Sequence, residues 1–170
     1  VGETRISRSK HRIRSIRLLP RKVRPLPAAL AAIAEADVIS FGPGSLFTSV
    51  IPNLLVEGIP AAIRASRALK CYFVNLMSQP GETTAFSASD HVRAIHKHAR
   101  GKLIDYAVLN MRSITSAAKK RYAREDALPV ENDVESLIKL GIKVMVGNLV
   151  EHTDNAAHDS AATAGALVKL

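Results

Sequence analysis

Apolar residues follow two alternating periods along most of this 170-residue chain. Leu26, Leu30 and Ile33 recur at helical spacing in an alanine-rich stretch that ends near Asp37, and Val38–Phe41 is a short β-rich run. Further helices are predicted over residues 45–56, 59–68, 89–99, 115–124, 133–140 and 159–170. Further strands are predicted over residues 71–76, 104–109 and 142–146. The alternation of helices and strands predicts an α/β fold with a mostly parallel sheet.

Individual residues mark where some of these elements begin and end. Pro52 interrupts the second helix and suits the first turn of a restarted one. Ser89 is the expected N-cap of the fourth helix, and Gly141 is the expected C-cap glycine before the last strand. The strand at 71–76 is apolar on both faces, which is typical of the middle of a sheet covered by helices on both sides.

Composition limits the classes of protein to which the chain can belong. With 47% hydrophobic and 23% charged residues, it has ordinary globular composition. No apolar run approaches the roughly 20 residues of a membrane-spanning helix, so no membrane partner is expected. The single Cys71 cannot form an internal disulfide, which favours a cytoplasmic location. With no Trp and 4% aromatic residues, a base-stacking surface for nucleic acid is not expected.

Positive charge is concentrated at the start of the chain. Residues 1–25 contain nine Lys and Arg and one Glu, so they carry +8 of the total formal charge of +9. Three interpretations stay open: an organelle transit peptide, a basic arm for phosphate backbones, or an exposed strand with its flanks. The strand is favoured because apolar residues interleave with the charges. The side chains expected to point inward are Ile13, Ile16, Leu18 and Leu19.

The strongest local signal for ligand chemistry is a Gly-Pro-Gly-Ser sequence at residues 42–45, between a strand and a helix. Ligands of parallel sheets bind beyond the carboxyl ends of the strands, where a helix start presents free backbone N–H groups to a phosphate. Gly44 would allow close approach of the backbone, and Ser45, Thr48 and Ser49 add hydroxyl groups. The alternative is a tight turn with Ser45 as an ordinary N-cap, because no complete dinucleotide or P-loop pattern follows.

A second polar loop, residues 75–84, follows the next strand and is expected on the same edge of the sheet. Its amides, hydroxyls and single carboxylate suit hydrogen bonds to a sugar or ribose, although a plain polar crossover loop is the alternative. The chain shows no activated-nucleophile pattern, so no catalytic residue is predicted. The candidates in this loop include Asn75, Gln79, Glu82 and Thr83.

Histidines in the fourth helix raise the question of a metal site. On a helix, His91 and His98 share one face while His96 points elsewhere, so three ligands do not converge and no metal site is predicted. Asp90 and His91 lie near the helix start and are candidates to reach the ligand edge. A loop and a helix cap are expected for a second polar cluster, formed by His152, Asp154, His158 and Asp159.

Three sequence blocks, taken in order, resemble the YvcK/CofD-like family. They are residues 36–56, which contain the Gly-Pro-Gly-Ser sequence, residues 75–83 and residues 88–92. The resemblance continues through Arg121–Ala123 and the His158–Asp159 pair, so it covers nearly the whole chain. The closer branch is the YvcK group, known as gluconeogenesis factors. The more distant branch is 2-phospho-L-lactate transferase of deazaflavin coenzyme synthesis.

The resemblance implies a Rossmann-like, three-layer α/β/α fold over residues 26–170, roughly the second half of a family member, after a basic segment at 1–25. It implies a cytoplasmic regulator that binds a nucleotide sugar such as UDP-N-acetylglucosamine and is linked to carbon metabolism, cell shape and wall synthesis. We expect a homo-oligomer without a resident cofactor. The ligand-binding residues carried over or inferred are Gly42, Pro43, Gly44, Ser45, Thr48, Ser49, Asn53, Asn75, Gln79, Gly81, Glu82, Thr83, Asp90, His91 and Tyr122.

The chain also departs from the family pattern. The Gly-rich first loop of the family has no match here, Thr84 replaces an acidic residue, and Ala157 stands where the YvcK group generally has Arg. Together these departures predict that this chain binds a nucleotide sugar weakly or not at all and has no detectable transferase activity. Two alternatives stay open: a 2-phospho-L-lactate transferase-like enzyme, which would need Mg²⁺ held by carboxylates, and a basic interaction module.

Overall fold

The computed structural model describes residues 13–151, 153 and 156–169. Within them, the strands β1 (Val38–Phe41), β2 (Leu69–Phe73), β3 (Tyr106–Asn110) and β4 (Lys143–Gly147) form one parallel sheet in chain order. The helices are α1 (Pro27–Glu35), α2 (Ile51–Leu54), α3 (Ile59–Ala65), α4 (Ala88–His98), α5 (Ser116–Ala123), α6 (Val134–Lys139) and α7 (Ser160–Leu167). A π-helical turn, Leu46–Val50, runs directly into α2. The predicted α/β fold with a parallel sheet is confirmed.

Strand side chains alternate between the two faces of the sheet, and helices cover both faces. Tyr72 points into a large apolar cluster that includes Ile95 of α4 and Leu137 of α6. Its neighbour Phe73 points to the opposite face, where Ala166 of α7 packs. The sheet therefore lies in the middle of three layers, as the apolar pattern of β2 predicted.

The start of α4 and the end of α6 test the capping residues that the sequence predicted. Ser87 caps α4: its hydroxyl accepts the Asp90 N–H, and the Asp90 carboxylate accepts the Ser87 N–H, in a reciprocal capping box. The prediction of Ser89 as the cap is wrong, because Ser89 lies inside the helix and its hydroxyl donates to the Asp133 carboxylate. The predicted C-cap is confirmed, since Gly141 follows α6 with a φ of +77°.

The bounds of β2 differ from the prediction of 71–76. Leu69 and Lys70 already pair with β1, so the strand begins earlier, and it ends at Phe73. Leu76 and Met77 lie beyond the strand but are buried in a separate apolar cluster. The apolar pattern continued past the strand because the following loop is itself buried. Smaller shifts move β3 and β4 toward the C-terminus and end α3 at Ala65.

The basic segment is described from residue 13 onward, and between there and α1 the chain forms no strand. The strand expected in this segment is therefore absent from residues 13–25, where Pro20 and Pro25 lack the N–H that a ladder needs. Ile13 and Ile16 pack against the large cluster as expected. Leu19 is 79% exposed, so its predicted inward orientation is wrong. Residues 1–12 lie outside the described part.

Strand β1 is at one end of the sheet formed by the described residues. Beside it lies an apolar groove of about 640 Å³, lined by α1, β1 and α3. Helix α1 is rich in Ala, yet none of its residues is buried. This side of the described structure therefore presents a large apolar surface.

Among the described residues, no single helix has the length and hydropathy needed to cross a membrane. One bent pair of helices has the required length and composition when its members are taken together. The pair consists of the helical stretch Leu46–Leu54 and α3, which meet at a bend of 77°.

Candidate functional site

The loops that follow β1 and β2 meet at the carboxyl edge of the sheet. The Asn75 amide donates a hydrogen bond from Nδ2 to the Gly44 carbonyl at 3.0 Å. The buried Tyr72 hydroxyl donates to Asn75 Oδ1 at 3.1 Å. Asn75 thus ties the loop after β1 to the end of β2, at the edge where parallel α/β sheets bind ligands.

The two glycines of the first loop have different reasons to be there. Gly42 has a φ of +77°, and a Cβ at this position would lie 3.2 Å from the Phe73 carbonyl oxygen. A Cβ on Gly44 would meet only the Ser49 Cβ, at an ordinary 3.5 Å. The fold therefore requires glycine at position 42 and leaves room for a small side chain at position 44.

A chain of hydroxyl groups connects the two loops to a buried carboxylate. Thr48 Oγ1 donates to Ser45 Oγ, which donates to Glu82 Oε2 at 2.6 Å. Glu82 is only 3% exposed. A carboxylate beside the loop repels a phosphate and accepts hydrogen bonds from hydroxyls. The hydroxyl and carboxylate groups at the end of β1 can form hydrogen bonds with sugar or ribose hydroxyls, and the phosphate assigned to residues 42–45 stays a prediction.

Glu82 is held by a tight turn that begins at Gln79. The N–H groups of Glu82 and Thr83 both donate to the Gln79 carbonyl, and the Gln79 N–H donates to the Thr83 hydroxyl at 2.9 Å. Gly81 provides a φ of +75° in the middle of the turn. The Gln79 side-chain Oε1 is buried and has no hydrogen-bond partner within the described part of the chain. The turn thus holds one buried carboxylate, that of Glu82, and one buried amide oxygen, that of Gln79.

His91 is fully buried beneath these loops. Its ring stacks on Tyr72 at 6.2 Å between centroids and meets Phe86 edge-on at 5.6 Å. Nδ1 is 2.9 Å from the Ser87 carbonyl, while Nε2 has no hydrogen-bond partner among the residues that the structure describes. Burial lowers the pKa of His91, and the Ser87 carbonyl opposes this only partly. A neutral ring is therefore favoured at this position.

Several predicted ligand residues lie outside this hydrogen-bonded cluster. Asp90 completes the capping box of α4 and pairs with Arg93 at 3.1 Å, at an exposed site. Pro43, Ser49 and Asn53 line the apolar groove beside β1. The Asn53 amide bonds the Ser49 carbonyl within the helical stretch. The structure places these residues apart from the cluster, and their assignment to the ligand site stays a prediction.

Tyr122 lies in a different part of the same edge. It belongs to α5 and packs against the cluster formed by Leu76, Met77 and Val150, beyond the end of β3. The guanidinium of Arg121 lies 6.0 Å from its ring centroid. Tyr122 is thus placed near the last strands of the sheet, apart from Ser45 and Glu82.

Sequence reasoning missed a second group of polar residues, which follows β3. Asn110 ends this strand, and Arg112, Lys119 and Asn132 line a cavity with Asn75 at its border. The position of Asn110 and Arg112, directly after a strand, was the available signal, because that is where ligands of parallel sheets bind.

In the described residues, no group of three His, Cys, Asp or Glu side chains is arranged to hold a metal ion. His158, from the second polar cluster, hydrogen-bonds the Val74 backbone, and burial lowers its pKa. Asp159 caps α7 as expected. His152 and Asp154 lie outside the described residues. Cys71 is buried, and burial raises its pKa to about 11, so the thiol is unreactive.

The fold and this polar edge define the class: a Rossmann-like α/β domain with a candidate ligand site at the carboxyl ends of its strands. The model of the family described as 2-phospho-L-lactate transferase CofD matches residues 1–150. The chain belongs to this family.

Relatives with established names lie within the same family. The gluconeogenesis factor of Bacillus subtilis is 39% identical over 99% of this chain and 54% of its own length. The gluconeogenesis factor of Halalkalibacterium halodurans is 40% identical over 99% of this chain and 52% of its own length. A crystal structure of a UPF0052-family protein from Bacillus halodurans gives a TM-score of 0.94 at 40% identity, over 98% of this chain and 54% of that one. This chain thus spans about half the length of these relatives.

Proposed function

We propose that this chain is the ligand-binding half of a gluconeogenesis-factor-like regulator, and that its ligand is a nucleotide sugar of the UDP-N-acetylglucosamine type. The observation that carries the proposal is the arrangement of Ser45, Asn75 and Glu82 at the ends of β1 and β2. Carboxylate, amide and hydroxyl groups in this arrangement suit the hydroxyls of a sugar. Membership of the family and the similarity to gluconeogenesis factors support it.

The proposal includes a cellular role. A cytoplasmic protein that senses a nucleotide sugar would couple carbon metabolism to wall synthesis and cell shape. Binding without turnover is favoured, because Glu82 is the single carboxylate of the loop after β2 and already accepts Ser45.

The second candidate is phosphotransfer, which the description of the family model favours. This activity would join a nucleotide-activated acid to a hydroxyl acceptor and would need Mg²⁺ held by carboxylates. Incubation with a nucleotide-activated acid, an alcohol acceptor and Mg²⁺ distinguishes the two candidates. Product formation above the rate without protein would favour the transferase.

The site is proposed to be completed beside β1. The β1 side of the described sheet has an apolar groove, and α1 has no buried residue. The matched relatives are about twice as long as the matched region. We expect the rest of the family fold, or a second copy of this chain, to cover this face and to enclose a ligand at Gly42–Ser45.

Titration of UDP-N-acetylglucosamine into the ¹⁵N-labelled chain, followed by NMR, tests the proposal. We expect saturable shifts at Ser45, Asn75 and Glu82, and a weaker affinity for Glu82→Gln. Glu57→Gln is the matched control, because it removes an exposed carboxylate that belongs to neither loop. Shifts that do not saturate, or equal affinities for the two variants, would contradict the assignment of Glu82 to the site.

A further inference from the structure

A second cavity lies at the carboxyl ends of β2 and β3, and its charge is opposite to that of the first loop. It has a volume of about 180 Å³, equal to the share of roughly six water molecules in the liquid. A phosphate group with part of its hydration shell would fit this space. The polar residues that line the cavity are Asn75, Asn110, Arg112, Ser113, Lys119 and Asn132.

The loop after β3 is fixed by Asn110. Asn110 Oδ1 accepts the N–H groups of Arg112 and Leu149 at 3.2 and 2.9 Å, and its Nδ2 donates to the Arg112 carbonyl at 2.7 Å. Asn132 Nδ2 donates to the Asn110 carbonyl at 2.9 Å. The backbone that carries Arg112 is therefore held on both sides. A fixed backbone reduces the entropy that a ligand contact would cost.

The two cations of this cavity, Arg112 and Lys119, pair with no carboxylate that the structure describes. In the described part of the chain, no Asp or Glu oxygen lies within 4.0 Å of Arg112 or Lys119, and no carboxylate lines the cavity. The Arg112 guanidinium makes one long bond, 3.3 Å from Nη1 to the Val150 carbonyl. Most of its donors are therefore available to a bidentate anion.

Asn132 has an acid on each side in sequence, Asp133 and the exposed Glu131, and the Asp133 carboxylate is directed elsewhere. Asp133 follows Asn132, but its carboxylate accepts the hydroxyls of Ser87 and Ser89 and the Ser89 N–H at 2.8 Å. Burial opposes its charged form, yet these hydrogen bonds lower the pKa of Asp133 overall. The carboxylate therefore stays charged at the start of α4 and does not neutralise the cavity.

We propose that the cavity between β2 and β3 binds a phosphate group of the ligand, with Arg112 as the principal partner and Lys119 as a second cation. The inference rests on the proposed function only for the class of ligand. Asn75 borders this cavity and also bonds the Gly44 carbonyl, so the two regions adjoin. A ligand that carries both phosphate and sugar would place its hydroxyls at Glu82 and its phosphate at Arg112.

The first experiment uses inorganic phosphate as the probe, at constant ionic strength, and follows the Arg112 Nε–Hε signal by NMR. Acetate in the same salt is the comparison that separates a phosphate site from a general anion site. We expect saturable shifts with phosphate and much smaller ones with acetate. Arg112→Gln should weaken phosphate binding about 10- to 150-fold.

Lysines on α5 provide a matched pair of variants. Lys119 lines the cavity, whereas the exposed Lys120 does not. Lys119→Met should weaken phosphate binding roughly 2- to 5-fold, as expected for an exposed cation, and Lys120→Met should leave it unchanged. Because both side chains are exposed, neither variant is expected to disturb folding. Equal effects of the two substitutions would overturn the site.

Titration of UDP-N-acetylglucosamine into the same variants separates this inference from the proposed function. Nucleotide-sugar binding that is weakened by Arg112→Gln supports both the phosphate site and the proposed function. Nucleotide-sugar binding that is equal in the unaltered chain and in Arg112→Gln keeps the function and overturns the phosphate site. Phosphate binding that depends on Arg112, without any binding of the nucleotide sugar, keeps the site and overturns the function. If neither phosphate nor the nucleotide sugar binds, the phosphate site and the proposed function are both overturned.

Discussion

The ends of β1 and β3 lie on the same edge of one sheet but offer different chemistry to a ligand. At β1, the side chains of Thr48, Ser45 and Glu82 are bonded to one another around a buried carboxylate. At β3, Arg112 and Lys119 line a polar cavity and have no carboxylate partner among the described residues. Under the proposed function, a glycine-rich loop is therefore not sufficient to locate a phosphate. The charges around the loop decide which group of a ligand it accepts.

The largest expected effect concerns Asn75, which joins the two regions. Asn75→Ala removes the acceptor of the buried Tyr72 hydroxyl and the donor to the Gly44 carbonyl. The buried hydroxyl left without a partner should lower the free energy of unfolding by about 2–3 kcal/mol. Urea denaturation measures this loss.

Asn53→Ala is the control for the Asn75→Ala variant. Asn53 is exposed, and its amide bonds only the Ser49 carbonyl in the same helical stretch. A loss of stability as large as that of Asn75→Ala would show that the connection between the loops is unimportant.

An added arginine side chain should distinguish the β3 region of the sheet edge from the β1 region. Ala157 precedes His158, which pairs with Val150, and the Val150 carbonyl accepts Arg112. Ala157→Arg should therefore add positive charge near the β3 cavity and tighten UDP-N-acetylglucosamine binding by about 1.5–3 kcal/mol. Isothermal titration calorimetry measures the change.

The matched variant for Ala157→Arg is Ser49→Arg, which places the same side chain on the exposed surface near the β1 loop. Little change in affinity is expected from it. Stronger tightening by Ser49→Arg than by Ala157→Arg would place the phosphate at β1.

The two glycines of the first loop should respond differently to the same methyl group. Gly42→Ala forces a left-handed φ on a side chain that would lie 3.2 Å from a carbonyl oxygen, at a cost of about 1–2 kcal/mol. Gly44→Ala should change the free energy of unfolding by less than about 0.5 kcal/mol. Thermal melting of the two variants checks this order, and a reversed order would be inconsistent with the loop geometry.

The smallest expected effect is a dependence of stability on pH through His91. Burial lowers the pKa of His91 from 6.5 in the folded chain, so the unfolded chain binds more protons. Stability is therefore full above pH 6.5 and is lost as the pH falls below it, by up to about 1.4 kcal/mol per pH unit. His91→Phe, which keeps an aromatic ring against Tyr72, should reduce this slope in urea melts. His96 and His158, whose pKa values burial also lowers, should account for the remaining slope. An unchanged slope would exclude His91 as a contributor.

Local patterns in the sequence predicted the elements of the fold well. Val38–Phe41, the restarted helix at Pro52 and the glycine after α6 lie where expected. The wrong N-cap has a local cause, since Ser87, followed three residues later by Asp90, fits the capping box and Ser89 does not. The bounds of β2 depend instead on pairing with β1, which the apolar pattern does not encode.

The site was predicted less completely than the fold. Residues 42–45 and 75–84 could be placed on one edge because both follow parallel strands. The pairing of Ser45 with Glu82 joins residues 37 positions apart. The cavity at Arg112 depends on Asn132 and Lys119, which approach it from different elements. Such contacts follow from the packing of the whole domain and have no local sequence signal.

The most direct test of this account is a crystal structure of the chain soaked with UDP-N-acetylglucosamine, in which the two phosphorus atoms are located by their electron density. We expect the diphosphate beside Arg112 in the cavity between β2 and β3, with sugar hydroxyls bonded to Glu82. A diphosphate bound instead to the backbone N–H groups of residues 42–45 would contradict the central claim, because it would show that the glycine loop accepts phosphate despite the adjacent carboxylate.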